Sequence, residues 1–126
     1  PIAELAERAT ARVSFFVPDG LKAPDMLLRV SAGGGNVWWM GDLFSNSAAG
    51  DQVWWLRLLA PLFGSGLGYR RNSKPGVVYV KDQGTWLRSI GGAIAAHSPS
   101  VVVPAHGDPV VDDTASRTQA LVNAAR

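Results

Sequence analysis

The run Val101-Val102-Val103-Pro104-Ala105-His106-Gly107-Asp108 constrains this chain more than any other stretch. Three β-branched residues favour an extended, pleated backbone. Pro104 then removes a ladder donor and breaks the run. The expectation is a buried strand that ends at Pro104 and delivers His106 to the rim of a sheet, where a metal or a substrate can meet it. A second stretch, Val37-Trp38-Trp39-Met40-Gly41-Asp42, has the same form: an apolar strand that stops at Gly41 and is followed by a carboxylate. Taken singly, an Asp after Gly is turn or cap chemistry, and a His in a Pro-x-His-Gly turn is an ordinary polar turn residue. Two strands that each present one metal-type ligand at the C-terminal end carry more than either alone.

The elements around these runs follow from spacing. Ala3–Ala11 reads as a short helix, with Ile2, Leu5, Ala6 and Ala9 at helical intervals. Arg12–Val17 is an extended run stopped by the turn Pro18-Asp19-Gly20. Asp25–Ser31 is a strand, Ala32–Asn36 a hairpin connection, and Val37–Met40 the returning strand that feeds a loop at Asp42. Asp51–Phe63 reads as a helix apolar nearly all round, capped by Asp51. Gly64–Gly76 reads as a flexible, locally basic loop and Val77–Val80 as a short extended piece. Thr85–His97 is a helix with Trp86, Ile90, Ala93, Ile94 and His97 on one stripe. Asp112-Asp113-Thr114 caps a closing helix whose inner face is Ala115, Thr118, Leu121, Val122 and Ala125. The order describes an α/β domain, with helices covering a sheet that mixes hairpins and an interior strand.

Composition narrows the partners. The chain has 126 residues, of which 47% are apolar, enough for one domain with a core. Charged residues make up 17%, below the usual share of about a quarter. Either much of the chain is buried or something else covers its surface. A net charge of +2 with a pI of 9.4 gives no case for nucleic acid. The absence of cysteine excludes a disulfide framework and a thiolate zinc site. No stretch reaches the ~18 consecutive apolar residues of a membrane span. No basic segment followed by an apolar run opens the chain, so a cytoplasmic location is expected. Pro1 in place of Met fits a processed product, a trimmed tagged protein or a piece of a longer chain.

Gly41-Asp42 followed by Leu43-Phe44-Ser45-Asn46, then Lys81-Asp82, the helix Trp86–His97 and the run Val101–Asp108 together resemble the C-terminal half of a metallo-β-lactamase-fold hydrolase, from about Ala11 to the C-terminus. The resemblance implies an α/β fold that is part of a metallo-β-lactamase-like αββα sandwich, a mixed sheet with covering helices. It implies that Asp42 is the carboxylate bridging two metals and His106 a terminal ligand of one. The implied cofactor is a divalent metal, zinc first, with iron or manganese suited to the same donors. In an intact relative such a site activates water for attack on an ester, thioester, lactam or phosphodiester of a small-molecule substrate.

Departures from the family pattern bound that reading. The first signature, His-x-His-x-Asp-His, does not occur. The region of the middle histidine reads Pro18-Asp19-Gly20-Leu21-Lys22-Ala23-Pro24, without a His. Zinc generally takes three or four protein ligands, and this chain keeps two. His97, at a helix end before Pro99, suits a helix-dipole or surface role instead. Residues 1–126 are therefore expected to form a single domain equivalent to the C-terminal half, a fragment or short form. As a hydrolase it is incomplete or inactive unless an N-terminal half completes it. The alternative is a non-catalytic binding or assembly protein that keeps the scaffold.

Three further segments have two readings each. The Trp54-Trp55 helix suits a substrate groove or partner surface, or more plainly a core or half-domain interface. Tyr69–Lys74 suits an anionic substrate, or more plainly a solvated loop. Gly33-Gly34-Gly35 lacks the strand-to-helix context of a phosphate loop and reads as a hairpin turn. Half of a two-layered sandwich also exposes the sheet face that the other half covers, so self-association, domain exchange or a lost partner is expected.

Overall fold

The computed structural model describes residues 10, 12–22, 26–48, 50, 54–59, 66–71 and 80–124. In chain order these form β1 (Val13–Phe16), β2 (Leu27–Ala32), β3 (Gly35–Ser47), α1 (Trp54–Leu59), β4 (Gly68–Arg71), α2 (Gln83–Ala96), β5 (Val101–Gly107) and α3 (Thr114–Asn123). The mixed α/β character expected from the sequence is present. The helix expected at Ala3–Ala11 lies outside the described residues apart from Thr10, as do both ends of the one expected at Asp51–Phe63 and most of the piece at Val77–Val80.

Among the described residues the sheet has five strands. β3 is its spine: β2 and β4 pair antiparallel with its first and last portions, and β5 pairs parallel along the opposite edge. β1 closes the far side on β2. The β2–β3 hairpin turns on Gly33 and Gly34, at φ 60° and 84°. Positive φ at both central residues is what a two-residue type I′ turn demands, and glycine meets it without strain.

Four expectations need correction. β3 does not stop at Gly41 but runs 13 residues to Ser47, so Asp42 is within a strand and not in a loop. Gly41 (φ 52°) is a bulge: the β3–β5 register shifts on both sides of it. Burial along β3 changes with it, from alternation at Trp38 and Met40 to a nearly continuous run at Leu43, Phe44, Ser45 and Ser47. A glycine that looks like a stop therefore re-phases the strand.

β5 likewise continues through Pro104 to Gly107. Pro104 is opposite Gly41, where the ladder is already interrupted and no amide is needed. The loop expected at Gly64–Gly76 contains β4. Tyr69 stacks on Phe44 with centroids 5.9 Å apart, and the Arg71 guanidinium lies 5.6 Å from the centre of the Trp86 ring. Burial pushes the Arg71 guanidinium below its usual range, so this is no solvated charge run. Finally, Asp113 makes no side-chain cap and is at φ 47°. The start of α3 is held instead by the Thr114 hydroxyl, which donates to the Ser100 and Val110 carbonyls.

One sheet face carries the core. Leu27, Trp38, Met40 and Val102 are buried against Trp86, Leu87, Ile90 and Ile94 of α2 and Val122 of α3. Gly91 lets the two helices close on each other, since a Cβ there would be 3.3 Å from Val122 Cγ1. The opposite face is different. Cross-strand partners point to the same side of a sheet, and the register gives two rows of four: Val13–Val30–Val37–Val101 and Phe15–Leu28–Trp39–Val103. All eight are apolar. Seven are half-buried, Trp39 is exposed, and none belongs to the buried core.

Candidate functional site

The bulge at Gly41 and the end of β5 bring Asp42 and His106 together. His106 Nε2 is 3.1 Å from Asp42 Oδ1, with the two side chains 71% and 57% exposed. Three glycine-dependent or polar features set this approach. Gly41 re-phases β3, so Asp42 is the first residue past the bulge. Gly107 (φ 87°) lies so close to β3 that a Cβ would collide with the Asn46 carbonyl. Asn46 then locks the strand end: its Nδ2 donates to the Asp108 carbonyl at 2.9 Å, and its own carbonyl accepts from the Asp108 amide at 3.1 Å. His106 pairs with Ser45 of β3, which is buried. The half-exposed Trp39 indole lies over Gly41, 3.5 Å from where a Cβ would be.

The two residues singled out from the sequence thus stand side by side. Two donor atoms bound to one ion at zinc-like distances of 2.0–2.2 Å stand roughly 3–3.5 Å from each other, and the observed separation fits that geometry. One carboxylate and one imidazole are nevertheless two donors. Among the described residues no cluster of three or more His, Cys, Asp or Glu side chains exists.

The other candidates have structural tasks. His97 is the C-cap of α2, and its carbonyl accepts from Trp38 Nε1 at 2.9 Å. Asp82 caps the start of α2. The Thr85 amide and then the Thr85 hydroxyl hold its carboxyl below the usual carboxylate range. The Pro18-Asp19-Gly20 turn is clamped to the same helix end, the Gly20 carbonyl accepting from the Lys81 and Asp82 amides at 2.7 and 3.0 Å. A Cβ on Gly20 would be 2.6 Å from the Asp82 carbonyl oxygen, so only glycine fits.

An open groove of about 700 Å³ borders Arg12, Val30 and the Gly33–Asn36 turn, at the hairpin end of the sheet. Asn36 is six positions before Asp42 on β3, roughly 20 Å along the strand. Arg70, read from the sequence as part of a basic loop, is opposite Ser45 and so lies in one cross-strand row with Ser45 and His106. Its Nε is buried without a hydrogen-bond partner. The sequence marks its charge but not its place in this row, which exists only through pairing register. No helix among the described residues is long and apolar enough to cross a membrane. No protein-family model, curated protein or solved structure matches the chain.

Proposed function

We propose that Asp42 and His106 are two ligands of a divalent-metal site of the hydrolase type, retained in a chain that supplies only part of that site. The observation that carries the reading is the 3.1 Å approach of an exposed carboxylate and an exposed imidazole. They come from two parallel strands whose register is set by the positive-φ bulge at Gly41 and by Gly107, which admits no side chain. Zinc, or iron or manganese, suits this donor pair. When bound, such an ion acidifies water toward neutrality for attack on an ester, thioester, lactam or phosphodiester.

The chain's own residues have narrower tasks. Asp42 and His106 hold and orient, Ser45 is the strand partner of His106, and Trp39 walls the side toward Gly41. With two protein donors in place of three or four, the chain by itself is an inactive or incomplete hydrolase, and a cytoplasmic location goes with this reading. The metallo-β-lactamase-like sandwich, of which this would be the C-terminal half, supplies the remaining donors from its other half.

The test is metal retention by the full chain. Zinc or manganese added to the purified protein should bind weakly, at one ion per Asp42–His106 pair. Asp42→Ala and His106→Ala should each abolish it while the circular dichroism spectrum stays unchanged. Equal retention by both variants, or no binding by the folded wild type, would remove the proposal.

A second reading, a non-catalytic assembly module, is favoured by α1, where Trp55, Leu58 and Leu59 are 49%, 71% and 40% exposed. Full retention of metal binding with no hydrolysis under any condition would leave that reading in place.

A further inference from the structure

We infer that Arg70 takes the oxyanion of a phosphate-ester substrate at the site built on Asp42 and His106. The observation is an orphaned donor. Arg70 Nε is buried with no hydrogen-bond partner, and the guanidinium makes no hydrogen bond or ion pair among the described residues. Other arginines are engaged. Arg29 Nε donates to Ser14 Oγ at 2.9 Å, and Arg88 donates to Thr85 Oγ1 at 3.0 Å. Arg71 lies over the Trp86 ring and Arg117 over the Tyr69 ring. A buried donor left without an acceptor costs free energy that a bound oxyanion offsets.

Pairing register brings this donor to the site. Arg70 of β4 is opposite Ser45 of β3, and Ser45 is opposite His106 of β5. Paired residues project to the same side of a sheet. Neighbouring strands are about 4.8 Å apart, so the Arg70 and His106 backbones are roughly 10 Å from each other. An arginine and a histidine side chain at that spacing can reach one tetrahedral oxyanion from two sides. The guanidinium rests on Gly66, where a Cβ would be 2.9 Å from Arg70 Cζ, so a glycine lets it lie there. Arg70 as a whole is half-buried, and a solute can meet it from water.

Charge selects among the substrates that an activated water can attack. A divalent ion held by one carboxylate and one imidazole keeps net positive charge, and Arg70 adds more. Esters, thioesters and lactams are neutral at the bond that breaks, whereas a phosphodiester carries its negative charge on the reacting group. Arginine clamps are a recurring means of stabilising that charge, and the planar guanidinium fork matches phosphate with two parallel N–H donors. As an assignment of substrate this rests on Asp42 and His106 holding a metal. The oxyanion subsite itself is measured without one.

Phosphate titration of the metal-free full chain by proton–nitrogen NMR is the experiment, read at the arginine Nε–H signals. The Arg70 signal should move saturably, with a midpoint in the millimolar range. The Arg29 signal, already bonded to Ser14, should stay in place. Followed by phosphorus line width, Arg70→Gln should abolish binding. Arg70→Lys, which keeps the charge without the fork, should weaken it at least roughly threefold. Circular dichroism verifies folding, and Arg70→Lys carries the test if Arg70→Gln does not fold. Zinc should then tighten phosphate binding in the wild type and not in Asp42→Ala. Binding that needs Arg70 but ignores zinc removes the metal proposal and supports the subsite. Retained zinc with no movement at Arg70 overturns this inference alone. So does an equal shift at Arg29, which marks an adventitious ion only, undiminished binding in Arg70→Gln, or acetate binding as well as phosphate.

Discussion

The Asn46 carbonyl occupies the space that a side chain on Gly107 would need. This contact, in the last paired position of β5 against β3, fixes how far His106 reaches toward Asp42. Gly107→Ala must both adopt a positive φ, at a cost of roughly 1–2 kcal/mol, and push the strand end away, at roughly 1–3 kcal/mol more. The expected loss is about 2–5 kcal/mol in urea unfolding. A loss within experimental error would mean that β5 ends differently.

Removing the pair itself should behave in the opposite way. The Asp42 and His106 side chains are both largely in water, and exposed ion pairs contribute about 0–1 kcal/mol. Asp42→Ala and His106→Ala are therefore expected to leave the thermal midpoint nearly unchanged. A drop of several kcal/mol in either variant would show the pair to be a structural tie and not an available site.

Tyr69 gives an alkaline prediction. Burial, its largest influence, raises the phenol to about 12, against lowering by its bond to Thr118 and by Arg117. The Thr118 hydroxyl donates to the Thr114 carbonyl at 2.6 Å, so in the 2.8 Å contact the phenol is the donor. A folded value above the unfolded one, about 10, means that the contribution is complete below pH 10 and is lost as pH rises toward 12. Tyr69→Phe should lower stability at neutral pH by about 0.5–1.5 kcal/mol. It should also flatten the alkaline limb of stability against pH. An alkaline limb identical in wild type and variant would contradict the assignment.

Asp82 gives an acid prediction of opposite sign. Its folded value is depressed by the Thr85 amide and hydroxyl. Its contribution is present above the ordinary carboxylate range of about 4 and disappears as pH falls through the lower folded value. Asp82→Ala should lower the thermal midpoint at pH 7. The gap from wild type should close in acid below about pH 4. A gap that persists unchanged in acid would mean that capping is not its role.

The parts of this fold that local chemistry controls were legible in the sequence. Gly33-Gly34 sits between extended runs and can only turn, and the apolar spacing of Trp86, Ile90 and Ile94 gave the helix that covers the sheet. The parts controlled by register were not. Gly41-Asp42 has the composition of a strand end, yet Gly41 bulges opposite Pro104 and the strand runs on to Ser47. Tyr69-Arg70-Arg71 has the composition of a loop, yet its rings and guanidinium pack on Phe44 and Trp86. Asp42 and His106 were legible as ligand-type residues at the ends of apolar runs. That they meet depends on Gly107 and Asn46 closing one strand on another. The two apolar rows were invisible for the same reason, since each draws one residue from each of four strands.

The parallel pairing of β3 with β5 also orders events in time. The β2–β3 hairpin closes over two residues, a local step of microseconds. The Asn46–Asp108 clamp joins positions 62 apart in sequence, and it must wait for the intervening chain, α2 included, to be drawn in. Asp42 lies beyond the hairpin pairing, which ends at Trp39, and meets His106 only when β5 docks. A probe that senses their juxtaposition would report completion of folding and not its onset.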